Sequence, residues 1–428
     1  MRILSITAGA AGMYCGSCFR DNALAAELIA QGHEVSLVPM YTPTRTDEPN
    51  ATTSRRVLFG GISVYLQQLS PIFRKTPRFL DRLWDWPALI STFANRASST
   101  DARMLGDLTV SMLEGEHGIL RKEFAKLADW MAGEPLPDVT IITNSLLIGL
   151  AAPLRRQTAR PVFVTLQGEE LFLDGLPPLY RDKAIALIRQ QLRHVDRFVA
   201  VSEHGARYMQ QLFAIPPSQM SVVPLGINMN GYQRAAPAAG QFTVGYLARI
   251  APEKGLRLLA EAYVLFKRQV GAAPTRLRAA GYIAPGPNPY LDDVKRVLSS
   301  AGLEHDFVYQ GEVDRSGKIG FLRELDVLSV PAIYDEPKGF SLLEAMACGV
   351  PVVQPNHGAF PEILARTGGG VLSRSDAPED VADAIYELWK DPARAKTLGR
   401  RGAEGVRNHY TVTHMAGAVL KAYQDAQR

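Results

Sequence analysis

Short runs of β-branched and apolar residues, each followed by a helical pattern, recur through both halves of this 428-residue chain. Apolar runs of about four to eight residues that alternate with longer amphipathic stretches mark βαβ units, whose parallel sheets bury both faces and need helices on each side. The first half offers strands over 2–8, 34–40, 138–143, 162–166 and 198–201. The second offers strands over 241–247, 275–280, 307–310, 327–330 and 352–354, with a helix over 255–269. Segment 56–68 and the helical patterns from Trp86 to Trp130 form an elaboration after the second strand, the kind of insertion that shapes a substrate cleft. The expected class is α/β, with two doubly wound, Rossmann-like domains.

A single core rarely serves more than about 200 residues, so the length agrees with two domains. The Ala-, Pro- and Gly-rich stretch QRAAPAAG, residues 233–240, is the best linker and puts the cut near 236. The expected layout is an N-terminal domain over 1–236, a second domain over 237–410, and a last helix within 411–428 that packs back towards the first domain. Hydrophobic residues at 46% and charged residues at 21% exclude a disordered chain and a membrane bundle. The net charge of +4 is small and scattered, which excludes nucleic acid as the expected partner. Cys15, Cys18 and Cys348 are too few for a disulfide framework and fit a reducing, cytoplasmic compartment. The opening MRILSITAGAAG reads as a strand, and the longest apolar stretch, 139–154, is broken by Thr140, Thr143, Asn144 and Ser145, so no transmembrane helix is expected.

The chemistry concentrates where strands of the second domain end, which is where open α/β sheets take ligands. Arg249 and Lys254 lie between its first strand and first helix, where two cations beside a helix N-terminus suit a diphosphate. Further on, Glu336 and Glu344 flank Gly339-Phe340-Ser341-Leu342, eight positions apart. Gly339 permits close approach of backbone N–H groups to phosphate, and the carboxylates can accept from sugar and ribose hydroxyls. Ser341 and Glu344 also satisfy the S-x-x-E pattern of a capping box, which explains Glu344 without any ligand.

Arg249 with Lys254, then Glu336 and Glu344 as E-x7-E ahead of AMACGVPVV, resemble the retaining GT-B glycosyltransferases, a family that includes bacterial mannosyltransferases and sucrose synthases. The resemblance extends to Val201-Ser202-Glu203 and to the VVPLGIN run at 222–228. It implies a GT-B fold with the active site in an interdomain cleft. It also implies that Arg249 and Lys254 hold the donor diphosphate, Glu336 the donor sugar and Glu344 the ribose. Gly311 and Val313 fall where the family passes backbone beside the base, and Glu362, in Gly358-Ala359-Phe360-Pro361-Glu362, matches a G-G-x-P-E-like loop. A helix-start carboxylate is the plainer explanation of Glu362. In the first half, Gly12 in GAAGM is the counterpart of a glycine turn that approaches the diphosphate, and Gln167 stands where many relatives carry histidine. An amide can hold a hydroxyl but cannot titrate; Glu169 and Glu170 are candidate substitutes or helix-start acids.

Cys15-Gly16-Ser17-Cys18 has C-x-x-C spacing, yet it follows a βα turn without a second such pair, and cleft lining is the preferred role. The histidines are expected to be structural or superficial, and no D-x-D, HExxH or Walker pattern is present, so neither metal nor cofactor is expected. The basic and apolar mixture over 72–84 suggests a cleft flap or packing before membrane contact, and FGGISVYL at 59–66 resembles starch and glycogen synthases and favours a carbohydrate acceptor. The expected activity is transfer of a hexosyl unit from a nucleotide diphosphate sugar to a hydroxyl acceptor. Rivals are a glucan synthase, a phosphorylase-like enzyme, a sugar-nucleotide sensor without catalysis and, most remotely, a thiol oxidoreductase.

Overall fold

The computed structural model describes residues 1–9, 15–42, 44–51, 58–59, 102–233, 240–284 and 286–426. The expectations placed on Gly12 and its turn, on most of 56–68 and of 59–66, on 72–84, and on most of the linker lie outside them. The chain divides into two compact units, one formed by Met1–Pro224 with Met415–Arg428, the other by Leu225–His414.

In the first unit, strands β1 (Arg2–Thr7), β2 (Glu34–Pro39), β3 (Val139–Ile142), β4 (Val162–Leu166), β5 (Arg197–Ala200) and β6 (Met220–Val222) form one parallel sheet in the order β2-β1-β3-β4-β5-β6. Every residue of β3 and β4 is buried, as a central strand covered on both faces requires. Within the elaboration, helices run over Ala102–Leu113 and Arg121–Gly133. Their apolar faces, through Met112, Leu113, Phe124 and Leu127, join the core beside Ile142 and Val164. The helix Val412–Asp425 brings Tyr423 edge-on to Phe163 of β4, ring centroids 4.8 Å apart, within this same unit.

The second unit contains β7 (Phe242–Leu247), β8 (Thr275–Ala280), β9 (Phe307–Tyr309), β10 (Val327–Leu328), β11 (Val352–Gln354) and β12 (Gly370–Leu372), in the parallel order β12-β11-β10-β7-β8-β9. That is the doubly wound order in which the path of the chain reverses between its first and fourth strands, here β7 and β10. The loops leaving the carboxyl ends of these two strands therefore diverge and open a crevice.

The unit boundary falls at 224/225, upstream of the 236 cut placed on composition, because Ile227 bridges to Thr411 and its N–H donates to the carbonyl of Tyr410 at 2.8 Å. Two short strands, β6 and β12, are additional to those expected, and β10 is shorter than the 327–330 run. No helix among the described residues is long and apolar enough to cross a membrane.

Candidate active site

Lys254 and Glu336 meet beside the β7/β10 reversal. The turn Pro252–Lys254 ends at Gly255, whose φ of +76° is left-handed and whose added Cβ would lie 1.8 Å from the carbonyl oxygen of Pro331. Only glycine lets the loop after β7 lie this close to the loop after β10. Ile333 N–H donates to the Glu253 carbonyl at 3.0 Å and ties the two loops again.

So positioned, Lys254 Nζ reaches the Glu336 carboxylate and lies 2.6 Å from the Tyr334 hydroxyl, which also donates to Glu336. The ammonium stands over the Tyr334 ring, 4.8 Å from its centroid. The remaining Glu336 oxygen accepts from Lys338 N–H at 3.2 Å. Glu336 is only 7% exposed. Burial pushes its carboxyl up, but the charges of Lys254 and Lys338, with hydrogen bonds from Lys254 and Tyr334, outweigh burial and hold it at about 2. Glu336 is therefore an ionised acceptor over the whole physiological range. Arg249 is different: its side chain is 42% exposed and pairs with Glu253 at 2.9 Å.

The helix Phe340–Ala347 begins at Gly339, φ +70°, with no side-chain cap. The capping-box explanation of Glu344 is thus incorrect: Ser341 lies inside the first turn, and Glu344 Oε1 accepts instead from Tyr232 Oη at 2.9 Å and from Lys318 Nζ. The uncapped first turn leaves N–H groups of Phe340, Ser341 and Leu342 without intrahelical acceptors, an anion-binding feature. Leu342 itself is buried in the core, so any contribution to a ligand comes from its backbone.

The loop after β11 closes over Glu336 from another side. Gly358, φ +61°, would put a Cβ 2.7 Å from Glu336 N, and Ala359 N–H donates to the Glu336 carbonyl at 2.9 Å. Glu362 occupies the first turn of helix Phe360–Thr367. Gly311, φ +82°, has nothing within 4 Å of an added Cβ, and Val313 is half-buried. The carbonyl of Gly311 accepts from Gly281 N–H at 2.9 Å. The structure thus gathers Lys254, Glu336, Tyr334 and Gly339 tightly and sets Glu344 one helical turn further on.

In the first unit, Gln167 directly follows β4 and joins a buried cluster at the carboxyl ends of β1, β3 and β4. Asp21 accepts from Thr7 Oγ1 and Arg20 Nη1, both at 3.1 Å, from Gln167 Nε2 at 3.3 Å and from the Thr143 hydroxyl. Burial pushes the Asp21 carboxyl up, opposed by Arg20 and the hydroxyls. The amide of Gln167 also donates to the Thr143 carbonyl at 2.9 Å, which fixes its orientation and leaves Oε1 without a partner among the described residues. Glu169 is no substitute for the missing imidazole: its carboxylate is consumed by Ser145 N and Oγ, both at 2.8 Å, and by Gln167 N at 2.7 Å. Glu170 begins the short helix Glu170–Asp174. Cys15 and Cys18 are not joined in a disulfide, and a hydrogen bond with Cys15, burial and nearby Asp21 push the Cys18 thiol far up, against redox use.

Sequence reasoning missed Asp21, Tyr232, Lys318 and Tyr334. Only Asp21 left a signal, as half of an Arg-Asp pair within an apolar helix pattern.

Residues 233–405 match the family "Glycosyl transferases group 1", and residues 22–226 match "Glycosyl transferase 4-like domain". Among curated proteins the chain is 26% identical over 211 residues, 49% of its length, to the 2-deoxystreptamine glucosyltransferase of Streptomyces kanamyceticus. It is 26% identical over 289 residues, 61% of its length, to a GDP-mannose-dependent alpha-(1-6)-phosphatidylinositol monomannoside mannosyltransferase of Mycobacterium tuberculosis. The matched stretch spans 52% of the first relative and 71% of the second. In fold, the chain is similar to the sucrose-phosphate synthase of Thermosynechococcus elongatus, with a TM-score of 0.71 at 18% identity over 99% of this chain and 98% of that one. It is also similar to Anabaena HepE bound to UDP-glucose, with a TM-score of 0.67 at 16% identity over 99% and 100% of the two chains.

Proposed function

Because this chain belongs to the group 1 glycosyltransferases of the GT-B fold, we propose that it moves a hexosyl unit from a nucleoside diphosphate sugar to a hydroxyl acceptor with retention of configuration. The observation that carries this reading is the Lys254–Glu336 pair, held at the sheet reversal beside the uncapped helix start at Gly339. A diphosphate there meets a cation and backbone N–H groups, while a sugar meets an ionised acceptor. As the glycosidic bond to phosphate breaks, negative charge grows on the leaving diphosphate, and Lys254, Arg249 and the helix N–H groups stabilise it most when it is greatest.

Glu336 orients the sugar hydroxyls. Its oxygens are already engaged by Lys254, Tyr334 and Lys338, which suits an acceptor better than a nucleophile. The acceptor hydroxyl then attacks from the face the diphosphate leaves, with its proton passing to a phosphate oxygen. Trapping of a covalent glycosyl-enzyme would overturn this step. We further propose that turnover needs no divalent ion, which chelation by EDTA tests directly, and that the acceptor is a carbohydrate or glycoside.

The named relatives use or bind GDP-mannose and UDP-glucose, so these donors and ADP-glucose are the first to test. Calorimetry and thermal shift should identify one nucleotide series. Lys254→Ala should lower turnover roughly ten- to a hundredfold, the equivalent of one charge-assisted hydrogen bond of about 1.5–3 kcal/mol. Wild-type turnover in that variant would remove Lys254 from the chemistry.

A further inference from the structure

Glu344 is held from behind by two side chains on separate segments of the second unit. Lys318 Nζ and Tyr232 Oη converge on its Oε1, while Oε2 carries no hydrogen bond among the described residues. Glu344 is 8% exposed and Lys318 7%. Tyr232 is itself fixed: Arg315 stands over its ring at 5.2 Å and donates to the carbonyls of Asn228 and Asn230, both at 2.9 Å. Lys318 and Arg315 share the helix Arg315–Arg323, which follows directly on Gly311–Val313. Along the helix Phe340–Ala347, Glu344 lies three and four residues beyond Ser341 and Phe340, so it shares their face and leans towards the uncapped N-terminus.

This arrangement is one-sided. A carboxylate free to rotate would offer either oxygen to a ligand or to water. Here a cation and a hydroxyl fix one oxygen and leave the other as the acceptor. We infer that Lys318 and Tyr232 are positioning residues that lock Glu344 for a vicinal diol, the ribose of a bound nucleoside diphosphate. The diol would lie one helical turn from where the first-turn N–H groups meet the diphosphate. The inference rests on the donor-site reading above and adds the residues that set its affinity for ribose.

The test is a cycle between side chain and ligand, read by calorimetry. The probes are UDP and GDP and their 2′,3′-dideoxy counterparts, and the variants are Lys318→Met and Tyr232→Phe in the full chain. Removing the ribose hydroxyls should weaken binding to the wild type roughly ten- to a hundredfold. Tyr232→Phe keeps the ring and the fold; it should weaken UDP or GDP about three- to tenfold and leave the dideoxy probe within about twofold. Lys318→Met should act in the same direction and more strongly. Equal weakening of both probes in either folded variant would mean a merely structural role and would overturn the inference, while the donor-site reading would stand. Failure of the wild type to bind either nucleotide would remove both.

Discussion

Replacing Lys254 with methionine keeps most of the stem and removes the charge that holds Glu336 ionised. In the intact protein the Glu336 carboxyl is displaced from 4.5 to about 2. At about 1.36 kcal/mol per pH unit, this displacement contributes on the order of 3 kcal/mol to stability at neutral pH. The folded value is depressed, so the contribution is fully present above about 4.5 and is lost as pH falls towards about 2. In Lys254→Met, burial, the largest influence on the group, faces mainly the charge of Lys338 and the Tyr334 hydroxyl, and the folded value climbs. The variant should therefore be less stable than wild type by on the order of 3 kcal/mol at pH 7, with the deficit falling below half at about pH 3. Urea unfolding at the two pH values, followed by hydrogen exchange in the β7 segment Phe242–Leu247, isolates the second unit. A deficit of equal size at both would refute the charge argument and leave only lost packing.

Gly255→Ala should destabilise the second unit by about 1–3 kcal/mol and release Lys254 from Glu336, because a Cβ would strike the Pro331 carbonyl and φ is positive; a lower melting temperature together with weaker nucleotide binding is the expected pair of results. Gln167→Glu should destabilise the first unit by on the order of 2 kcal/mol at neutral pH, since it sets a second carboxylate against Asp21 and the Thr143 carbonyl, and the loss should shrink in acid as one of the pair protonates. Unchanged stability at pH 7 would contradict the amide orientation. Cys18 should alkylate with iodoacetamide at pH 8 much more slowly than a free cysteine, as read by mass spectrometry, because its thiol is pushed up by its neighbour Cys15 and by burial.

The long strands were legible because their pattern is dictated by burial on both faces. Val162–Leu166 and Thr275–Ala280 match their expected limits, as does Val352–Gln354. Strands β6 and β12 were not, since three half-buried residues at a sheet edge carry no run to recognise. Lys254 and Glu336 could be singled out because they fall in the combined pattern, basic pair then E-x7-E, that resembles the retaining GT-B glycosyltransferases. Their mutual pairing was not visible, since it depends on Gly255 packing against Pro331, a contact between loops far apart in sequence. Glu344 shows the opposite failure. The resemblance gave it the ribose, and the failure is confined to the alternative read from its local S-x-x-E pattern, a cap, since tertiary contacts from Tyr232 and Lys318 take the carboxylate instead. Lys318 could not be found at all, because a lysine on an amphipathic helix reads as solvated until the fold shows it buried.

The return of residues 415–428 to the first unit fixes an order of events during synthesis. The second unit is one continuous stretch, Leu225–His414, and can close as soon as it leaves the ribosome. The first begins earlier yet is completed later, for Phe163 gains Tyr423 only from the helix Val412–Asp425. A nascent protein therefore carries an unfinished apolar patch on its older half until the segment 415–428 has been made, so removal of that segment should harm the half that was made first.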